Sequence, residues 1–168
     1  MINLGQIGDR QILYINVRTD PNWFDKLPED NWIVFTISDN QDEKLLTDAV
    51  PKCIDRLVSY TCSAGQLAGL AEHLFDIEIV NRAIAEEDKT GIPFDYETSP
   101  ITTMHQNFSE GFWFATTVAL DGYKECNTVV CLDFTTKSVQ RHLIGLIEKI
   151  NIGWLPSDEE VEEPNYDS

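Results

Sequence analysis

The chain has 168 residues, 42% of them hydrophobic, which is enough for one domain with a real core. Its 12 Lys plus Arg stand against 29 Asp plus Glu, a formal net charge of -17. That balance excludes a protein gripping phosphate backbones over its surface, so no direct nucleic-acid binding is expected. It favours solubility and attraction to cationic partners.

The start, MINLGQIGDRQ, has no basic n-region followed by an apolar run, and no apolar stretch approaches the ~18 residues of a membrane span. Cys53, Cys62, Cys126 and Cys131 form no C-x-x-C pair, so the expected setting is reduced and cytoplasmic. Gln11–Val17 (QILYINV) reads as a first strand, joined by a turn-rich connection to Trp32–Ser38 (WIVFTIS). The second run is almost wholly apolar and β-branched, as in a strand covered on both faces.

From about Lys44 to Arg56 the pattern is helical, with Pro51 expected to weaken or split the helix. Leu57–Cys62 (LVSYTC) is a short strand, and Ser63 is a candidate N-cap for the next helix. Leu67, Leu70, Ala71, Leu74, Ile77, Val80 and Ile84 mark one long helix, or two with a break near Asp76. Residues 86–100 read as a surface loop.

Ile101–His105 is a strand, after which Ser109 is a candidate cap with Glu110 in the first helical turn. Phe112–Leu120 is apolar almost all round: a deeply packed helix, although FWFATTV also suits a strand. Asn127–Asp133 (NTVVCLD) is a buried strand, and Val139, Leu143, Leu146, Ile147 and Ile150 form one stripe of a last helix over 136–150. Residues 156–168 hold six acids and no base, the composition of a disordered acidic tail.

Strands alternating with helices imply α/β: one domain over 1–155, a three-layer sandwich with a mostly parallel sheet. Whether an N-terminal strand adds to the sheet as an antiparallel edge stays open. LVSYTCSAG, ITTMHQNFSEGFWFATTVAL and NTVVCLDF together resemble an uncharacterised family of small bacterial α/β domains, over residues of about 32–134. The resemblance implies this fold and carries no activity.

Ligands of a parallel sheet sit beyond the carboxyl ends of its strands. Cys62, His105 and Asp133 are expected at three such ends, with Glu110 nearby: the raw material of nucleophile, base and orienting carboxylate. The plainer reading makes Cys62 a core residue, His105 a loop partner and Asp133 a cap. No G-x-G-x-x-G, Walker or H-E-x-x-H pattern occurs, so neither a cofactor nor a metal is expected. Trp23 and Phe24, beside Asp25, Glu29 and Asp30, are candidates for an aromatic anchor in an acidic interface, set against plain burial.

These features suit two main function classes. The first is a non-enzymatic acidic protein that docks on a basic protein partner, in its sharpest form an inhibitor or immunity-type protein against a toxin or nuclease. The second is a small cytosolic hydrolase using the Cys62, His105 and Asp133 constellation, with Cys62 or a bound water as nucleophile and His105 as base. A blander module whose tail aids solubility is the third.

Overall fold

The computed structural model describes residues 1–120, 125–157 and 161–167. Its elements are β1 (Ile2–Ile7), β2 (Arg10–Asn16), β3 (Trp32–Ser38), α1 (Glu43–Asp55), β4 (Val58–Gly65), α2 (Ala68–Thr90), β5 (Ile101–His105), α3 (Phe108–Thr117), β6 (Thr128–Asp133) and α4 (Gln140–Asn151). One six-stranded sheet runs in the order β1-β2-β6-β3-β4-β5. β1 pairs antiparallel with β2, and all the other pairings are parallel.

The central strand β3 is buried at all seven positions, as its apolar run predicted. Its pleat divides the core. Ile33, Phe35 and Ile37 face α3 and α4, packing with Phe108, Phe112, Leu143 and Leu146. Trp32 and Val34 face α1 and α2, packing with Leu46, Val50, Ala71 and Phe75. The expected three-layer α/β sandwich is what the chain forms.

Local chemistry moves several boundaries. β1 was not read from the sequence; it enters through a tight hairpin in which Ile7 pairs with Arg10 and Gly8 takes a positive φ of 55°. Pro51 sits inside an unbroken α1, and α2 runs without a break near Asp76 to a left-handed cap at Gly91, five residues into the segment read as loop. β4 extends to Gly65, so Ser63 lies in a strand rather than at a helix cap. Its hydroxyl accepts from Thr36 at 2.9 Å. A Cβ at Gly65 would run into the Ser38 carbonyl oxygen, so only glycine lets β3 and β4 finish this close.

The chain leaves β3 for α1 on one face and leaves β6 for α4 on the other. The point where connections diverge, the usual ligand crevice of an open parallel sheet, therefore lies between the carboxyl ends of β3 and β6.

Candidate functional site

That crevice is built around Asp133, the last residue of β6. Its carboxylate accepts from the Tyr14 hydroxyl at 2.6 Å, the Thr135 hydroxyl at 2.7 Å, the Thr135 N–H at 2.9 Å and the Val139 N–H at 3.4 Å. Burial raises its pKa and these donors hold it down. Burial also raises the Tyr14 hydroxyl, with the bond to Asp133 adding to the shift. Beside it, buried Asp42 binds Arg18 and accepts the Asp39 N–H at 2.7 Å, while Arg18 Nε donates to the Phe134 carbonyl at 2.6 Å. These groups staple the β2, β3 and β6 loops together.

Cys62 does not join them. It lies within β4, three residues before the strand ends, wholly buried, and burial pushes its thiol up to about 12. A thiol held neutral in a core is a packing group rather than a nucleophile. His105 does end β5, as expected. Two strands separate it from β6, which places it roughly 14 Å from Asp133 at ~4.8 Å per strand. Cys62, His105 and Asp133 are thus not brought together.

His105 and Glu110 are, with Nδ1 3.8 Å from Oε1. The ring also packs on Phe114 at 4.9 Å. Burial lowers the histidine pKa while Glu110 opposes it. The helix cap belongs to Asn107, whose side chain accepts from the N–H groups of Ser109 and Glu110. Ser109, the expected cap, instead donates its hydroxyl to Glu162.

Glu162 belongs to the acidic tail, of which residues 158–160 and 168 lie outside the described residues. Residues 161–167, expected to be disordered, lie across the amino ends of α3 and α4. The Glu162 carbonyl accepts the Phe108 N–H at 2.9 Å, the Asn165 N–H donates to His142 Nδ1 at 3.0 Å, and the Asp167 N–H donates to the Ser138 carbonyl at 2.6 Å. Pro164 is buried, and Tyr166 packs on the core. The Tyr166 hydroxyl is pushed up to about 12 by burial and by Asp39, Asp133, Glu163 and Asp42.

The predicted interface residues divide. Trp23 is only 6% exposed, packed in the core under Lys52, so it is no surface anchor. Phe24 is half-buried beneath the Arg56 guanidinium at 4.8 Å, while Asp25, Glu29 and Asp30 are exposed. Arg56 also reaches Glu29 at 3.9 Å. Asp30 lines a feature the sequence did not reveal, a cavity of about 510 Å³ at the amino ends of β3 and β4. Ile54, Leu57, Val58, Ile79, Phe94 and Pro100 give it apolar walls; Asp30, Arg82 and Glu86 are its charged lining residues. Leu57 and Asn31, the two positive-φ non-glycine residues among those described, both line it. The signal available in sequence was Leu57 itself, an aliphatic residue directly after a helix end, where glycine is usual.

Among the described residues no helix is long and apolar enough to cross a membrane, and no cluster of His, Cys, Asp or Glu could hold a metal. Sheet, layers and stapled rim define a single-sheet α/β domain with one antiparallel edge strand. The chain belongs to the family described as Domain of unknown function (DUF7684), whose model matches residues 12–150. The cavity falls wholly inside that span, and β1 and the tail fall outside it. No curated protein and no solved structure matches the chain.

Proposed function

We propose that this chain is a non-enzymatic acidic binding protein that docks on a basic protein partner, as an inhibitor or immunity-type protein docks on a toxin or nuclease. The observation that carries the reading is how the chain's cations are used. Arg10 donates to the Ala115 and Ala119 carbonyls, Arg18 binds Asp42, Lys26 binds Asp20, and Arg82 binds Asp55 and Glu78. Lys52, Arg56, Lys137 and Lys149 lie over aromatic rings. Exposed carboxylates such as Asp48, Asp76, Glu86, Asp88, Asp95 and Glu97 face solvent, and with 29 acids against 12 bases the cations held in these contacts do not offset them. Such a field speeds encounter with a basic partner and rejects an acidic one. The hydrolase alternative is less favoured, because Cys62 is buried and Cys62, His105 and Asp133 are not brought together.

The test is a pull-down from the native host at low ionic strength, followed by a salt titration. A basic protein retained in stoichiometric amount and released as salt rises is the expected result. Retention of nothing basic, or retention indifferent to salt, removes the reading.

A further inference from the structure

We infer that the cavity beside Leu57 is the docking site for that partner, and that it receives an aliphatic side chain flanked by lysine or arginine. The inference rests on the acidic-binder reading above and adds where the contact is made and with what chemistry.

Three observations converge on this place. The first is Leu57. Its N–H closes the end of α1 by donating to the Ile54 carbonyl at 3.0 Å, and this position takes a left-handed backbone with φ 49°. Glycine satisfies that conformation without a Cβ penalty, and leucine does not. The side chain is also 64% exposed, so burial in the fold does not repay the strain. A strained residue with an exposed apolar side chain is explained by a contact outside the chain.

The second is charge. Asp30 and Glu86 line the cavity, and Glu29, next to Asp30 and 3.9 Å from the Arg56 guanidinium, has its side chain 92% exposed. Arg82, the base among the lining residues, is neutralised by Asp55 at 2.9 Å and Glu78 at 2.7 Å. With Asp30, Glu86, Glu29, Asp55 and Glu78 set against Arg82 and Arg56, the cavity's surroundings are negative. A second copy of this chain, itself at -17, would meet like charge there, which leaves a cationic occupant.

The third is extent. Phe94 lines the cavity and stacks edge-on with Tyr96 at 5.1 Å, and Tyr96 and Ile92 are both exposed. Apolar surface thus continues from the cavity onto the 91–98 connection, as suits a peptide segment better than a small enclosed molecule.

The experiment uses the full chain, methyl-labelled, titrated with a short amphipathic peptide of leucine and lysine. Two controls run beside it: the same peptide with glutamate for lysine, and a lysine-only peptide. The expected result is shifts at the Ile54, Leu57 and Ile79 methyls with the leucine–lysine peptide alone. Leu57→Gly should weaken that binding tenfold or more while the variant still melts cooperatively. Glu86→Gln together with Asp30→Asn should weaken it most at low salt. Shifts confined to other surfaces, with Leu57→Gly without effect, would overturn the site and leave the acidic-binder reading standing. Equal binding of the glutamate peptide would overturn the cationic occupant. Failure of both lysine peptides to bind at low salt counts against site and reading together.

Discussion

The two ends of this sheet are finished in opposite ways. At the carboxyl end, where parallel sheets ordinarily receive ligands, Asp133 takes four donors, Asp42 holds Arg18, and residues 162–167 of the chain lie over the helix starts. At the amino end, apolar walls stand open around a strained, exposed leucine. The difference separates groups that hold the fold together from groups that the fold does not use. Polarity and position alone point to the carboxyl end, away from the cavity.

The largest effect should come from breaking the closed end. Asp133→Ala removes the acceptor of the Thr135 and Val139 N–H groups and leaves the buried Tyr14 and Thr135 hydroxyls only Ser138 Oγ and the Lys137 carbonyl. A loss of about 3 kcal/mol in urea unfolding is expected. A loss under about 1 kcal/mol would mean that the rim is not the staple described.

Cutting the chain after Pro156 removes the tail's hydrogen bonds to Phe108, Ser109, Ser138 and His142. Roughly 2 kcal/mol should go, because ~1 kcal/mol per net hydrogen bond is partly offset by the backbone entropy the freed tail regains. Unchanged hydrogen exchange at the start of α3 would sink the claim that the tail is docked there.

At the open end the sign reverses. Leu57→Gly should raise stability by up to about 1 kcal/mol, because it relieves left-handed strain at an exposed site. A clear destabilisation would show that the leucine supports the fold, and the contrast between the ends would weaken.

The smallest effect is a pH slope. Burial lowers the pKa of His105 and of His142 below the ordinary 6.5. The unfolded chain therefore binds protons first, and the stability these neutral rings contribute is present above pH ~6.5 and lost as pH falls through their lowered values. Stability should decline from about pH 7 towards 5, and His105→Gln with His142→Gln should flatten that decline. An equal slope in the double variant would place its origin elsewhere.

Much of the fold was legible because burial writes itself into sequence. WIVFTIS is apolar at nearly every position and is buried at all seven; Val139, Leu143, Leu146, Ile147 and Ile150 share the buried face of the last helix and its cap. β1 escaped because INLGQI is an edge strand with Ile7 as its one buried residue, so no alternation betrays it. Its signal was the Gly8-Asp9 turn, a two-residue hairpin pair. The end of β4 was misplaced because TCSAG, its last five residues, is small-residued and carries no mark at Cys62. Asn107 and Ser109 are both competent caps, and only the backbone geometry chooses Asn107. The open cavity was illegible for a different reason. Its walls come from Asp30 and Asn31, the end of α1, the second half of α2, the start of β4 and the 94–100 segment, which no local pattern relates.

All four cysteines are unpaired and buried, Cys53 in one half of the core and Cys62, Cys126 and Cys131 in the other. Burial also holds the Cys53, Cys62 and Cys131 thiols in their neutral, unreactive form. The chain is thereby its own opening clock: a thiol reagent added to the native protein reacts only as fast as each layer comes apart. Cys126, outside the strands, reports the loosening of a connection, while Cys62 and Cys131 report the parting of the central sheet.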